Sequence, residues 1–303
     1  MAITKKYKGI IIPAVTPLTT GYRPDEKAVT KLFNLFYKNG AAPFILGTTG
    51  ESASLPVAVK KEYIRLAGKN KQAGTVLYAG IASNIMNESV ELANYCADNG
   101  VDVIVATVPS YYVLTEAQIK NYFIKLADAI SLPLVIYNIP ATTHMSIPLS
   151  LIDELSHHPN IIATKDSERS EERLRHSIEL WKDRADFSHF LGWAARSAEA
   201  LINGSDGLVP STGNLFPKIY SDMWKAVQEN QHAKAYELQT QSDIFGNLYQ
   251  SGRTLGESLW ALKILMKEME ICEPVVMPPL QPQSDEEANK LIQSLKDIKA
   301  TLA

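Results

Sequence analysis

Short apolar runs rich in β-branched residues recur along the chain, and each is followed by a longer segment whose apolar positions fall at helical spacing. Eight runs can be read: Gly9 to Pro13, Pro43 to Gly47, Thr75 to Gly80, Asp102 to Thr107, Pro133 to Tyr137, Asn160 to Lys165, Phe187 to Gly192 and Gly207 to Pro210. Helical periodicity marks Asp25 to Asn39, Val57 to Lys71, Asn87 to Asn99, Thr115 to Ile130, Pro148 to His157, Ser170 to Lys182 and Ala194 to Asn203. Strand and helix in alternation predict parallel strands joined by crossover helices, and eight repeats predict an α/β fold of the closed (β/α)8, or TIM-barrel, type. The alternative is an open doubly wound sheet. It usually carries a Gly-x-Gly-x-x-Gly turn after its first strand, whereas this chain reads Ile12-Pro13-Ala14-Val15-Thr16-Pro17 there. After Phe216 the pattern turns wholly helical, through Pro217 to Glu229, Gln231 to Gln250, Leu255 to Glu270 and Asp285 to Leu302, with a Pro-rich linker from Glu273 to Pro282. The expected division is a barrel over residues 1–230 and a small all-helical domain over 231–303.

Composition narrows the function classes. The chain has 303 residues, 46% of them hydrophobic, enough for a sizeable core. Thirty basic against thirty-three acidic residues leave a formal charge of −3 without long runs of either sign. Nucleic acid and anionic membrane are therefore not expected as partners, and a small molecule is. Met1 to Lys8 lacks the apolar stretch of a signal peptide, and no later segment is apolar for long enough to span a bilayer, so a cytoplasmic location is expected. Cys96 and Cys272 lack metal-type spacing and read as buried free thiols.

In such a barrel the chemistry belongs at the carboxyl ends of the strands, so polar residues there are the first candidates. Alternation in Ile161-Ile162-Ala163-Thr164-Lys165-Asp166 puts Ile161, Ala163 and Lys165 on one face, aiming an amine where an apolar run has just pointed. A desolvated lysine loses part of its preference for the charged form, and its neutral amine can attack a ketone to give an iminium. The alternative is a lysine that snorkels into a loop salt bridge with Asp166 or Glu168. One strand earlier, Pro133-Leu134-Val135-Ile136-Tyr137 ends in a tyrosine at the corresponding level. Neighbouring strands lie about 4.8 Å apart, so phenol and amine would reach one small substrate. Tyr137 is then a candidate proton carrier, or else a cap on the barrel core. The turn Gly47-Thr48-Thr49-Gly50-Glu51 offers amides and hydroxyls suited to a carboxylate, although many strand-to-helix turns are rich in Gly and Thr.

Together these elements resemble the dihydrodipicolinate synthase and N-acetylneuraminate lyase superfamily of pyruvate-dependent class I aldolases, over almost the whole chain. Gly47-Thr48-Thr49-Gly50-Glu51 is similar to that family's carboxylate loop, and Pro109-Ser110-Tyr111-Tyr112 to its tyrosine pair. Tyr137-Asn138-Ile139-Pro140 resembles its catalytic tyrosine motif and Thr164-Lys165-Asp166 its Schiff-base lysine. Gly207-Leu208-Val209-Pro210-Ser211-Thr212-Gly213-Asn214 resembles the loop that closes the pocket. The resemblance implies that Lys165 forms the imine, that Tyr137 is the general acid/base, and that Thr49, with neighbouring amides such as that of Gly50, holds the substrate carboxylate. Thr48 would join a hydroxyl relay with Tyr137 and with Tyr111 or Tyr112 from a neighbouring subunit. Val209 would line the pocket by its backbone. A homotetramer built as a dimer of dimers is implied, with pyruvate and an aldehyde as small-molecule partners and neither metal nor cofactor.

Two departures bear on the second substrate. Dihydrodipicolinate synthases carry an arginine two residues after the proline of the tyrosine motif, where this chain has Thr142. Neuraminate lyases have an acidic pair after the glycine that ends the seventh strand, where this chain reads Gly192-Trp193-Ala194-Ala195. The expectation is an aldolase of 2-keto-3-deoxy sugar acids or related hydroxy-oxo acids. Lysine-pathway synthase or dehydratase activity is the alternative within the superfamily, and a non-catalytic ligand-binding barrel the alternative outside it. Thr142, Thr143, His144, Ser167 and Trp193 are the candidate specificity wall.

Overall fold

In the computed structural model, which describes residues 5–302, each of the eight apolar runs carries a strand. These are β1 (Gly9–Pro13), β2 (Ala42–Ile45), β3 (Tyr78–Gly80), β4 (Val103–Ala106), β5 (Leu134–Asn138), β6 (Ile161–Asp166), β7 (Ser188–Leu191) and β8 (Gly207–Leu208). Each pairs in parallel with the next, and β8 returns to β1 through Gly207 and Gly9, so the sheet closes into the expected barrel. A Cβ at Gly207 would come within 2.2 Å of the Gly9 carbonyl oxygen. Only glycine lets the two strands meet at this seam.

Alternation sorts the apolar side chains into two layers. Ile11, Phe44, Val105, Val135 and Phe190 fill the barrel interior, while Ile10, Ile12, Ile45, Leu134 and Ile136 face the ring of helices. The sorting slips once, in β6. Leu134 pairs with Ile161 but Val135 pairs with Ala163, which leaves Ile162 as an extra residue in a β-bulge. The unbroken face expected for Ile161, Ala163 and Lys165 therefore does not exist: Ile161 packs in the outer layer and Ala163 in the interior. Beyond the bulge Lys165 pairs with Tyr137 on one side and Phe190 on the other.

The crossover helices start where side chains can satisfy their free amides. Asp25 accepts from Lys27 and Ala28 at the head of Glu26–Lys38, Thr115 and Gln118 form a capping box on Glu116–Ala129, and Ser170 caps Glu171–Trp181. Val57–Lys69, Met86–Asp98 and Leu149–Leu155 complete the regular crossovers. The expected helix from Ala194 is divided, its first turn being a 3-10 helix (Ala194–Arg196) before Ser197–Ile202. A one-turn helix, Pro140–Thr143, follows β5 directly, too short to show a period in the sequence.

Past Phe216 come only the helices Pro217–Gln228, His232–Gln250, Leu255–Glu268 and Asp285–Leu302. Their apolar faces continue the barrel's outer core, with Tyr220, Phe245, Leu262 and Leu295 in one cluster with Phe33 and Phe36. Cys96 and Cys272 are buried free thiols. No described helix is long and apolar enough to cross a membrane.

Candidate active site

A cavity of about 580 Å³ opens at the carboxyl ends of β2 to β5, lined by residues that include Phe44, Thr48, Gly80, Thr107, Ser110, Tyr137, Thr142 and Thr143. Its far wall is not part of the barrel. Leu255, Gly256 and Leu259 from the third C-terminal helix and Leu280 from the Pro-rich segment close that side.

Lys165 lies behind this lining. It is only 5% exposed, and its Nζ stands 3.7 Å from the centre of the Tyr137 ring and 5.0 Å from that of Phe44. Lys165 is not itself among the cavity-lining residues, but both rings that cover its amine are. Burial pulls this amine below the ordinary lysine range, and the adjacent Tyr137 opposes the pull only in part. Burial pushes the Tyr137 phenol up, yet the Lys165 charge and the hydroxyls of Thr48 and Ser167 outweigh it and hold the phenol below its usual value. Both groups thus hold their protons less tightly than usual, and for the amine this favours the neutral form that adds to a ketone.

Thr48 reaches this pair from the neighbouring turn, its Oγ1 lying 3.4 Å from Tyr137 Oη. The turn is bracketed by two side-chain-bearing residues in the left-handed region, Leu46 (φ 55°) and Glu51 (φ 59°). Within it the Gly50 amide donates to the Gly47 carbonyl and the Glu51 amide to the Thr48 carbonyl. Thr16 Oγ1 donates to the Gly50 carbonyl at 2.6 Å. Glu51, fully buried, forms an ion pair with the equally buried Lys263 of Leu255–Glu268, and its other oxygen accepts the Met277 amide at 2.7 Å.

The acidic residues after Lys165 face elsewhere. Asp166 accepts from Arg173 Nε at 2.7 Å, from the Glu168 amide at 2.9 Å and from Asn138 Nδ2 at 3.2 Å. Glu168 accepts from Ser146 Oγ at 2.6 Å and Asn138 Nδ2 at 3.1 Å. Neither forms the loop salt bridge that would have made Lys165 a snorkelling lysine. The same network ties the ends of β5 and β6, because Asn138 Oδ1 accepts the Ile147 amide and Arg173 also donates to the Ile147 carbonyl.

Of the other residues expected at the site, Thr142 and Thr143 line the cavity, whereas Thr49, Gly50, Ser167, Val209, His144 and Trp193 do not. Val209 is buried in the barrel interior with its amide on the Leu191 carbonyl. His144 is exposed in a left-handed conformation, and Trp193 lies beneath the Arg196 guanidinium. Tyr111 and Tyr112 stand 76% and 73% exposed, rings edge to face at 4.9 Å. They extend the loop that brings Thr107 and Ser110 to the cavity, and Asn84 Oδ1 holds this loop through the Ser110 and Tyr111 amides. Phe44, Arg173, Lys263 and the leucines of the far wall were not anticipated. Lys263 left one trace, a lysine inside the apolar run Trp260-Ala261-Leu262-Lys263-Ile264-Leu265-Met266.

Comparison with known proteins gives a concordant picture. The chain matches the model of the Dihydrodipicolinate synthetase family over residues 6–298. It is 28% identical over 294 residues to an uncharacterized DapA-like lyase of Thermococcus onnurineus, covering 96% of this chain and 99% of that relative. A 4-hydroxy-tetrahydrodipicolinate synthase of Pseudoalteromonas atlantica is 30% identical over 240 residues, 78% of this chain and 80% of the relative. Among solved structures, dihydrodipicolinate synthase from Bacteroides thetaiotaomicron superposes with a TM-score of 0.91 at 28% identity, covering 97% of this chain and 99% of the other. YagE, a prophage protein of the dihydrodipicolinic acid synthase family from E. coli solved in complex with pyruvate, gives a TM-score of 0.91 at 26% identity with the same coverage.

Proposed function

The chain belongs to the Dihydrodipicolinate synthetase family of class I pyruvate-dependent lyases, and within it we propose an aldolase that cleaves or forms the bond between pyruvate and an aldehyde through an imine on Lys165. The observation that carries this reading is the amine of Lys165, buried against the cavity-lining Tyr137 ring with both nearby carboxylates engaged elsewhere.

The neutral amine of Lys165 adds to the C2 ketone of a hydroxylated 2-keto acid, and loss of water leaves an iminium. Tyr137 takes the proton of the C4 hydroxyl, with Thr48 Oγ1 in reach to share it. The C3–C4 bond then breaks: the aldehyde departs, and the bonding electrons flow into the iminium to give the enamine of pyruvate. Protonation at C3 and hydrolysis release pyruvate and restore the amine. Thr48, the one of the turn's two threonines that lines the cavity, receives the substrate carboxylate.

The second substrate is read from Thr142. A hydroxyl at this wall suits a sugar-type hydroxyl and offers no bidentate partner to a second carboxylate, which favours 2-keto-3-deoxy sugar acids or related hydroxy-oxo acids. Relatives named 4-hydroxy-tetrahydrodipicolinate synthase favour the synthase as a second reading, and Thr142 weighs against it. The exposed Tyr111–Tyr112 pair supports a homotetramer in which one of them enters a neighbouring site. The direct test is incubation with pyruvate, reduction with borohydride and peptide mass mapping. A reduced adduct on Lys165 is expected; labelling elsewhere, or none, rejects the imine. Pyruvate release from a panel of 2-keto-3-deoxy acids then separates aldolase from synthase.

A further inference from the structure

Glu51 closes the turn that carries Thr48 and Thr49, and its side chain reaches out of the barrel to meet the C-terminal helices. There one carboxylate oxygen pairs with Lys263 and the other takes the Met277 amide, while Lys263 Nζ also donates to the Val275 carbonyl at 2.6 Å. Both charged side chains are wholly buried, and the helix around Lys263 is otherwise apolar, with Leu262, Leu265 and Met266 fully enclosed. An ion pair at such depth is a poor source of net stability, because desolvating two charges offsets their attraction. What it supplies is a fixed place for the carboxylate and for the backbone that bears it.

That backbone needs holding. Glu51 is itself in the left-handed region, and so is Leu46 at the other end of the turn. The contact from Thr48 to Tyr137 is 3.4 Å long, near the limit of a hydrogen bond, so a displacement of a few tenths of an ångström decides whether it is made. Glu51 borders the cavity, and its partner Lys263 comes from a helix far along the chain whose Leu255 and Leu259 also wall that cavity.

We propose that Lys263 is a positioning residue: acting through Glu51, it sets the carboxylate-binding turn in register with Tyr137 and so governs the affinity for pyruvate. This rests on the pyruvate reading above, and the experiment separates the two. Borohydride trapping is titrated against pyruvate in the wild-type protein and in variants. Lys263→Met alone strands a buried carboxylate and is expected to lose stability. The decisive variant is Glu51→Gln with Lys263→Met, which removes both charges and keeps an acceptor for the Met277 amide.

The double variant is expected to fold, to need at least about ten-fold more pyruvate for half-maximal trapping, and to reach wild-type labelling of Lys165 at saturation. Half-maximal trapping within about two-fold of wild type, against the roughly hundred-fold that misplacement by an ångström costs, overturns the positioning role. A double variant that fails to fold overturns it too, since the pair is then a requirement of the fold. Absence of any adduct in the wild-type protein removes the imine reading itself, and this inference with it.

Discussion

Lys165 and Asp166 are adjacent in the chain but face opposite ways across β6: the amine lies over the Tyr137 ring inside the barrel, and the carboxylate is bonded to Arg173 at 2.7 Å on the helix side. Arg173 thus keeps occupied the acid nearest in sequence to the amine. A carboxylate beside Lys165 would favour its ammonium form and blunt its nucleophilicity.

Removing Arg173 strands Asp166. Arg173→Met is expected to cost about 3–5 kcal/mol of stability at neutral pH, because both partners are nearly buried and one charge is left unpaired. Burial already raises the Asp166 carboxyl, and Arg173 partly offsets this, so the variant's Asp166 rises further. Protonation then relieves the penalty, and the deficit shrinks as the pH is lowered. Denaturant unfolding at several pH values measures this, and a deficit that grows toward acid pH contradicts it.

The depressed amine of Lys165 has a cost in stability whose sign is fixed. The folded protein sheds this proton at lower pH than the unfolded chain does, near about 10.4, so between the two values the unfolded chain holds more protons and stability rises with pH. Lys165→Met is therefore expected to be more stable than wild type at neutral pH, by ~0.5–2 kcal/mol, with the gap closing as the pH rises. Thermal melts across the alkaline range are the check.

Tyr137→Phe separates the two halves of the chemistry. Imine trapping on Lys165 should persist, while aldol turnover falls by about 10²–10⁴-fold with loss of the proton carrier. Because Tyr137 raises the Lys165 amine, its removal also shifts the rising limb of the trapping rate to lower pH. Full turnover in this variant would assign the proton transfer to another group.

Thr142→Arg supplies a guanidinium to the cavity wall. Activity with a carboxylate-bearing aldehyde such as aspartate semialdehyde is expected to rise by about 10–100-fold, the equivalent of one charge-assisted hydrogen bond of ~1.5–3 kcal/mol. Steady-state assays with both aldehyde classes show whether this position selects between them.

Tyr111→Ala with Tyr112→Ala removes two rings that bury little in the single chain. The thermal unfolding of the protomer is expected to change by no more than about 0.5 kcal/mol. Sedimentation should show smaller assemblies, and turnover should fall with them. An intact tetramer with full activity would confine both tyrosines to the surface.

The barrel was legible because its signal is local. Each strand is a short apolar run ending in polar or small residues, and this exposes Lys165, Tyr137 and Thr48 without any knowledge of what they face. Partnerships across the chain left no such mark: Asp166 with Arg173 requires knowing which way each side chain leaves its element, and Glu51 with Lys263 joins the first quarter of the sequence to the last. Ile161 and Ile162 conceal the bulge for another reason. Isoleucine suits both layers of the barrel, so the pattern looks unbroken where the pairing skips a residue.

That skipped residue sets a parity. Were Ile161 to Asp166 paired with β5 one for one from Leu134 onward, Lys165 would fall opposite Asn138, and Thr164 would take its place beside Tyr137. The reactive nitrogen would then emerge among the outer helices. Deleting Ile162 should instead dissolve the bulge and leave Lys165 opposite Tyr137, because the remaining residues then pair one for one; it is Ile162 entering the ladder that would turn the amine outward, so the aim of the lysine rests on an odd-versus-even count.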